Sequence, residues 1–89
     1  MYGWKAKPLS LEQQKDWLMN STEIARLQAY VRNIFESDAF TLNKRPAAND
    51  SVEVSKAGEF LGVIYKDVDE GEISYQFHMA IIEEDLPGI

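Results

Sequence analysis

Hydrophobic and polar residues alternate most regularly in the second half of the chain, over residues 59–85. Two stretches rich in Val, Ile, Tyr and Phe flank the polar segment Asp69–Glu72, whose Gly71 can adopt the positive φ of a tight hairpin turn. We therefore predict a long antiparallel β-hairpin with Glu70 and Gly71 at its tip. Side chains alternate between the faces of a strand, so this tip defines the pairs on the face that we expect to be buried. These pairs are Val68 with Ile73, Lys66 with Tyr75, Ile64 with Phe77, Gly62 with Met79 and Phe60 with Ile81.

The opposite face of this hairpin is apolar over only half of its length. Its apolar residues gather at the open end of the hairpin, whereas polar residues occupy the part near the tip. Contiguous apolar patches on a protein surface commonly mark interaction sites, so we predict one here, which an N-terminal tryptophan could join. The predicted interaction surface comprises Leu61, Val63, Tyr65, Ile82 and Trp17.

An amphipathic helix is predicted to precede the strands. From Ser21 onwards, apolar residues recur at steps of three and four, which is the spacing of one helical face. Ser21 or Thr22 is the predicted N-cap, and the polar residues 36–38 are expected to end the helix after about four turns. The apolar stripe consists of Ile24, Leu27, Tyr30, Val31, Ile34 and Phe35.

Two shorter strands are predicted between the helix and the hairpin. Residues 40–46 alternate with period two, and Pro46 confines them to the edge of a sheet. A turn over 47–50 and a one-sided strand over 51–55, with Val52 and Val54 as its apolar residues, should follow.

The turn at Ala57 and Gly58 leaves two registers open. A two-residue loop sets Val54 opposite Leu61, whereas a three-residue loop with a bulge at Gly58 sets Val54 opposite Phe60 and Val52 opposite Gly62. We expect the bulge, because it keeps both valines on the predicted core face and the buried face determines register.

These elements predict an α+β fold, with one main amphipathic helix packed on a four-stranded antiparallel meander sheet over residues 21–89. Residues 1–20 form an N-terminal appendage, in which Ser10 and Gln13 fit a capping box for a short helix over about 11–18. The other interpretation of this segment is a loosely attached tail, with Met19 as an alternative start.

The predicted hairpin also resembles a known family. An acidic-Gly-Glu-aliphatic-Ser-Tyr-x-Phe run followed by Met-Ala-Ile is similar to the short alphaproteobacterial proteins of domain of unknown function 3126. The resemblance extends over about Thr22 to Leu86 and implies no activity, so it assigns no functional residues. It rests on FLGV at 60–63, DVDEGEISYQF at 67–77 and MAI at 79–81.

Composition and charge narrow the class of protein. The chain has 89 residues, 45% of them hydrophobic, and contains no cysteine, which is typical of one soluble domain in a reducing compartment; we expect the cytoplasm. The net charge is −6, and residues 67–89 carry seven acidic side chains and no Lys or Arg. Such a surface repels phosphate backbones, and no stretch is apolar enough to span a bilayer, so we expect no nucleic-acid and no membrane partner.

The sequence offers little for catalysis or metal binding. His78 is the only histidine, and on a strand it lies about 13 Å from Ser74, too far for a catalytic dyad. The acidic segment from Asp67 fails as an EF-hand loop, since Gly71 and Glu72 occupy ligand and glycine positions respectively. We therefore predict no catalytic, cofactor-binding or metal-binding residue, no cofactor, and no enzyme activity.

Two functional hypotheses remain. The first is a non-enzymatic protein-interaction domain, whose half-apolar sheet face meets a second copy in a homodimer or an unknown protein partner. The alternative is a small-molecule-binding domain or minor enzyme, with a pocket between helix and sheet near Tyr30, Tyr65 and Tyr75.

Overall fold

One helix and a four-stranded sheet make up the part of the chain that the structure, a computed structural model, describes, namely residues 18–46 and 48–89. The sheet is an antiparallel meander with strand order β1-β2-β3-β4, which confirms the predicted α+β class. The predicted helix over about 11–18 and its capping box lie almost wholly outside the described residues. The elements are α1 (Ser21–Ile34), β1 (Phe40–Arg45), β2 (Ala48–Lys56), β3 (Glu59–Asp69), β4 (Glu72–Met79) and a 3₁₀ turn (Glu83–Asp85).

The N-cap of helix α1 lies one residue before the predicted cap. Asn20, not Ser21 or Thr22, is the N-cap: its side-chain oxygen accepts a hydrogen bond from the Glu23 amide at 2.7 Å. The Glu23 carboxylate in turn accepts from the Asn20 amide at 3.4 Å, which completes a capping box. The helix ends at Ile34 with Phe35 as its C-cap, and Glu36 follows in the left-handed region with φ 51°.

The β3–β4 hairpin has the predicted tip. Glu70 and Gly71 both have positive φ, 52° and 85°, as a two-residue type I′ turn requires. All four predicted pairs from Val68↔Ile73 to Gly62↔Met79 are confirmed. The fifth pair, Phe60 with Ile81, is wrong, because β4 ends at Met79.

The β2–β3 connection differs from both predicted registers. Ala57 and Gly58 form a two-residue turn with φ 52° and 85°, and Ser55 pairs with Phe60. The register then shifts, so that Val54 pairs with Gly62 and leaves Leu61 as the extra residue of a β-bulge. The predicted three-residue loop with a bulge at Gly58 is therefore wrong, and the bulge of this hairpin lies within β3 at Leu61.

Because of this bulge, Phe60 and Leu61 each lie on the face of the sheet opposite to the one predicted. Because Phe60 pairs with Ser55 and not with Val54, it lies on the face opposite the helix, and it is 58% exposed. Leu61, predicted for that outer face, is half-buried and packs against the core.

Strand β2 is also longer than predicted. Residues 48–50, expected in a turn, continue the strand, and the irregularity falls between Lys44 and Arg45, where Arg45 pairs with Ala48. The amide of Met19 donates to the carbonyl of Asn49 at 2.8 Å, so the chain entering α1 supports this end of β2.

The core lies between α1 and strands β1 to β3. The helix sits toward the β1 side of the sheet, so the prediction that Phe77 and Met79 are core residues is wrong: they are 37% and 50% exposed. Tyr30, Ile34 and Phe35 of the helical stripe are exposed as well, whereas Val31 between them is buried. The buried apolar residues are Met19, Val31, Phe40, Leu42, Val52, Val54 and Ile64, with Ile24, Leu27, Leu61 and Tyr75 packed against them.

Candidate interaction surface

The outer face of the sheet, opposite the helix, carries most of the predicted interaction surface. Val63 is half-buried, whereas Tyr65 is exposed, and both border an open groove with Ile82. Phe60 joins them there as a consequence of the bulge, and the partly buried Leu61 reaches the groove only at its margin. Trp17 lies outside the described residues.

His78 is also on this outer face, opposite Val63 in the β3–β4 ladder. Its ring packs edge-on against Tyr65 with 5.3 Å between ring centroids. Ser74 is engaged elsewhere, since its hydroxyl accepts a hydrogen bond from the Gln76 side chain at 3.3 Å. The arrangement supports an aromatic contact for His78 rather than a dyad with Ser74.

A polar cluster that the sequence did not predict joins α1 to β3 and β4. The ammonium of Lys66 lies 2.9 Å from one carboxylate oxygen of Glu23 and 3.1 Å from the carbonyl oxygen of Leu18. The hydroxyl of Tyr75 donates to the same Glu23 carboxylate. The side chains of Lys66 and Glu23 are 5% and 12% exposed, so each charge is neutralised where water is largely excluded.

The environment of this cluster shifts two pKa values. Burial acts to raise the pKa of Glu23, but hydrogen bonds from Tyr75 and Lys66, with the charge of Lys66, lower it overall. Burial and the Glu23 carboxylate together raise the pKa of Tyr75 to about 12. At neutral pH Glu23 is thus ionised and Tyr75 is a neutral donor, which is the state that the observed bonds require.

Helix-side residues of β4 form an apolar shelf beside α1. The shelf is continuous with the exposed end of the helical stripe, and a cavity of about 150 Å³ opens between them, lined in part by Leu27, Ile64 and Tyr75. Tyr30 and Tyr75 border a cleft here, as predicted for the alternative function, but Tyr65 lies on the other face. The exposed apolar side chains of the shelf are Ile73, Phe77 and Met79, and those of the adjoining end of the helical stripe are Tyr30, Ile34 and Phe35.

The two edge strands of the sheet differ in how far their outward backbone groups are protected. The β1 edge is protected, and we call it closed. Side chains from α1 bond two of the backbone groups that β1 points outward: Gln28 Oε1 accepts from the Leu42 amide at 3.0 Å, and Arg32 Nε donates to the Phe40 carbonyl at 2.8 Å. The strand is only six residues long, it contains an irregularity at Arg45, and a proline follows it. Short, charged, irregular and covered edges resist pairing with another chain.

The β4 edge is open. The type I′ turn makes Asp69 and Glu72 a hydrogen-bonded pair, and bonded pairs alternate along an antiparallel ladder. The amides and carbonyls of Ile73, Tyr75 and Phe77 therefore point away from β3, and within the described residues no hydrogen bond is made to them. Glu72–Met79 contains no Pro, Lys, Arg or bulge.

The sequence contains signals for both the Glu23–Lys66 cluster and the difference between the two sheet edges. Lys66 falls on the predicted core face, and a lysine there requires an acidic partner, for which a glutamate in the first turn of the helix is the natural source. The difference between the edges was visible in part, since Lys44, Arg45 and Pro46 mark β1 and no such residue marks β4. The side chains that close β1 could not be identified without knowing where the helix lies.

The acidic segments do not converge on a metal site in the described residues: no group of three or more His, Cys, Asp or Glu side chains there could hold an ion. Residues 18–46 and 48–89 also include no helix that is long and apolar enough to cross a membrane.

Comparison with known proteins gives one match. A family model described as "Protein of unknown function (DUF3126)" matches residues 23–85, which span α1 and all four strands. No curated protein and no solved structure matches the chain.

Proposed function

The chain belongs to the DUF3126 family of proteins of unknown function, and from its surface we propose that it is a homodimerisation domain in which a second copy pairs along the open edge of β4. The observation that carries this proposal is the contrast between the edges. Two outward backbone groups of β1, the Leu42 amide and the Phe40 carbonyl, are bonded by Gln28 and Arg32, whereas those of Ile73, Tyr75 and Phe77 are left for a partner strand. An eight-residue edge without protective residues is a template for strand addition.

Like its backbone, the side chains of β4 favour pairing with a partner strand. Helix-side residues are apolar and exposed, and a paired strand would remove part of Ile73, Phe77 and Met79 from water. Cross-strand pairs of aromatic and β-branched residues are among the stabilising contacts of a sheet.

A second copy fits the β4 edge because the strand is self-complementary. Antiparallel pairing of two identical strands sets apolar helix-side residues against each other and polar outer-face residues against each other. A domain of this size buries only a modest fraction of its surface on folding alone. The area buried where the two β4 strands pair, here called the β4 seam, would therefore add substantially to its stability.

The proposed role is non-enzymatic. The cleft between α1 and β4 contains the Glu23 carboxylate and the Tyr75 hydroxyl as convergent polar groups, but these are bonded to each other and to Lys66. Their arrangement supports a structural link between helix and sheet rather than a reaction site.

The proposal is tested by removing one outward amide. Phe77→Pro deletes an N–H that points away from β3, which an edge strand tolerates, whereas Phe77→Val loses the ring but keeps the N–H. We expect the parent and Phe77→Val to sediment as dimers and Phe77→Pro as a monomer with unchanged circular dichroism. A monomeric parent across a dilution series, or a dimeric Phe77→Pro, would overturn the proposal.

A further inference from the structure

We infer that the two copies meet in one register, with Tyr75 of each copy at the twofold axis, and that Glu72 facing the partner's His78 selects this register. The inference rests on the proposed function, since it specifies which residues meet at the β4 seam. It identifies Glu72 and His78 as the residues by which one copy recognises another.

Alternation of side chains limits the registers. Residues directly opposite each other share a face, so apolar helix-side residues meet only if the twofold axis passes through a residue and not between two. The midpoint of β4 falls between Tyr75 and Gln76. The registers with the greatest overlap are therefore centred on one or the other.

The helix-side face does not discriminate between these two registers. Centring on Tyr75 sets Ile73 opposite the partner's Phe77, whereas centring on Gln76 sets Ile73 opposite the partner's Met79. All of these are exposed apolar side chains on the shelf, so either register buries apolar surface against apolar surface.

The outer face does discriminate. Glu72 is the only Asp, Glu, Lys or Arg within β4, and it pairs with Asp69 on β3, so it extends the acidic tip of the hairpin. In the Tyr75 register it faces the partner's His78, the one basic side chain of that strand. In the Gln76 register it faces the partner's Ala80, close to the acidic turn over residues 83–85.

His78 is placed to serve as this contact. It is exposed, and Tyr65 packs edge-on against its ring at 5.3 Å, which restricts the ring on the outer face. A favourable cross-strand pair of an imidazole with a carboxylate strengthens association by about two- to fivefold, and the twofold axis makes two such pairs. Two pairs are enough to favour one register over another with the same apolar contacts.

Charge exchange tests the pairing. His78→Glu sets like charges against each other at both pairs and should raise the dimer Kd by about tenfold in sedimentation equilibrium. Adding Glu72→Lys to that variant restores opposite charges and should return the Kd to within about twofold of the parent. A double variant no tighter than His78→Glu would overturn the register.

Cysteine cross-linking locates the axis independently, because the chain has no cysteine of its own. In the Tyr75 register, Ser74 faces the partner's Gln76 in a non-hydrogen-bonded pair, where side chains are closest. Ser74→Cys mixed with Gln76→Cys should form a disulfide-linked heterodimer, whereas Gln76→Cys alone should not cross-link.

The outcomes separate the two proposals. A dimer in which Gln76→Cys alone cross-links contradicts the Tyr75 register and leaves homodimerisation through β4 intact. A monomeric parent contradicts both.

Discussion

Gly62 lies where β3 leaves no room for a side chain beside β4. A Cβ added there would overlap the carbonyl oxygen of His78 and lie 3.0 Å from the Phe77 ring and from the Cα of Met79. Two of these three contacts are backbone atoms of the paired strand, so relief requires the strands to separate. The glycine thus permits the tight pairing that holds β4 on the sheet.

Gly62→Ala should destabilise the fold by about 1–3 kcal/mol, since overpacking against backbone cannot be relieved by a side-chain rotation. The midpoint of urea unfolding measures the effect. Gly88→Ala is the matched control, because an added Cβ there meets nothing within 4 Å. Equal midpoints for the two variants would show that the strands are farther apart than described.

Tyr75 predicts a loss of stability at high pH. Burial and the Glu23 carboxylate raise the pKa of Tyr75 from 10.0 to about 12, so the folded state favours the neutral phenol. Its contribution is fully present below pH 10 and is lost as the pH rises from 10 toward 12. The difference in unfolding free energy between the parent and Tyr75→Phe should shrink across that window.

Tyrosine absorbance provides a direct measurement of the same titration. The Tyr75 phenol of the parent should ionise near pH 12, and Tyr75→Phe should lack that transition, whereas Tyr65→Phe should retain it. If Tyr75→Phe leaves that high-pH transition unchanged, the hydrogen bond to Glu23 does not hold the phenol neutral.

The stability that Glu23 contributes depends on pH in the opposite direction. Its folded pKa is lowered overall, so the stability it contributes is present above its ordinary value of 4.5 and declines as the pH falls through the folded pKa. The cluster therefore holds α1 on the sheet between these acidic and alkaline limits.

At the scale of elements, α1 has a second task besides covering the core: it closes the β1 edge. Gln28 and Arg32 lie one helical turn apart and meet backbone groups two residues apart on the strand. The same displacement of the helix toward β1 uncovers the β4 shelf. Closure of one edge and exposure of the other thus have a common cause.

Gln28→Ala should leave the Leu42 amide without its acceptor and cost about 1 kcal/mol in urea unfolding. Gln28→Glu keeps an oxygen at the same place and is the control. In Gln28→Ala/Arg32→Ala, association should proceed beyond the dimer, because both edges would then be open. A double variant that still stops at the dimer would show that these side chains do not protect β1.

The sequence predicts the elements better than their connections. The tip at Glu70 and Gly71 follows from local turn chemistry, so the β3–β4 register is correct. The bulge at Leu61 depends on which side chains reach the core, and alternation alone cannot show that. The Asn20 cap was missed because Ser21 and Thr22 are also good caps, although the Asn20–Glu23 spacing fits a capping box.

The interaction surface shows the same limit. Val63 and Tyr65 lie on the predicted face because their period-two spacing is local. The open β4 edge, the shelf and the Glu23–Lys66 pair involve residues far apart in sequence, 43 positions in the last case. They depend on where the helix crosses the sheet, which periodicity does not determine.

At the scale of the whole molecule, charge should make association depend on salt. Each copy carries a net charge of −6, so two copies repel each other over a long range. Raising the ionic strength from about 0.01 M to 0.15 M shortens the Debye length from about 30 Å to about 8 Å. This screens the long-range repulsion more than it would weaken the proposed close contact of Glu72 with the partner's His78.

The dimer Kd should therefore fall by several-fold over that range of salt, as measured by sedimentation equilibrium. Glu83→Gln/Glu84→Gln reduces the size of the negative net charge without changing a residue of β4. This variant should show a weaker dependence of the Kd on salt. A Kd that rises with salt would mean that attraction between charges, rather than pairing of strands, drives the association.

The closed β1 edge also limits how far assembly can proceed. A sheet that exposes two equivalent edges can grow without end, each addition presenting a fresh template, as in a fibril. In the proposed dimer the β4 edges of both copies are paired, and the two outermost strands of the joined sheet are the β1 strands, whose backbones Gln28 and Arg32 contact. Strand addition would then stop at the dimer, because two side chains on one helix protect the remaining edges.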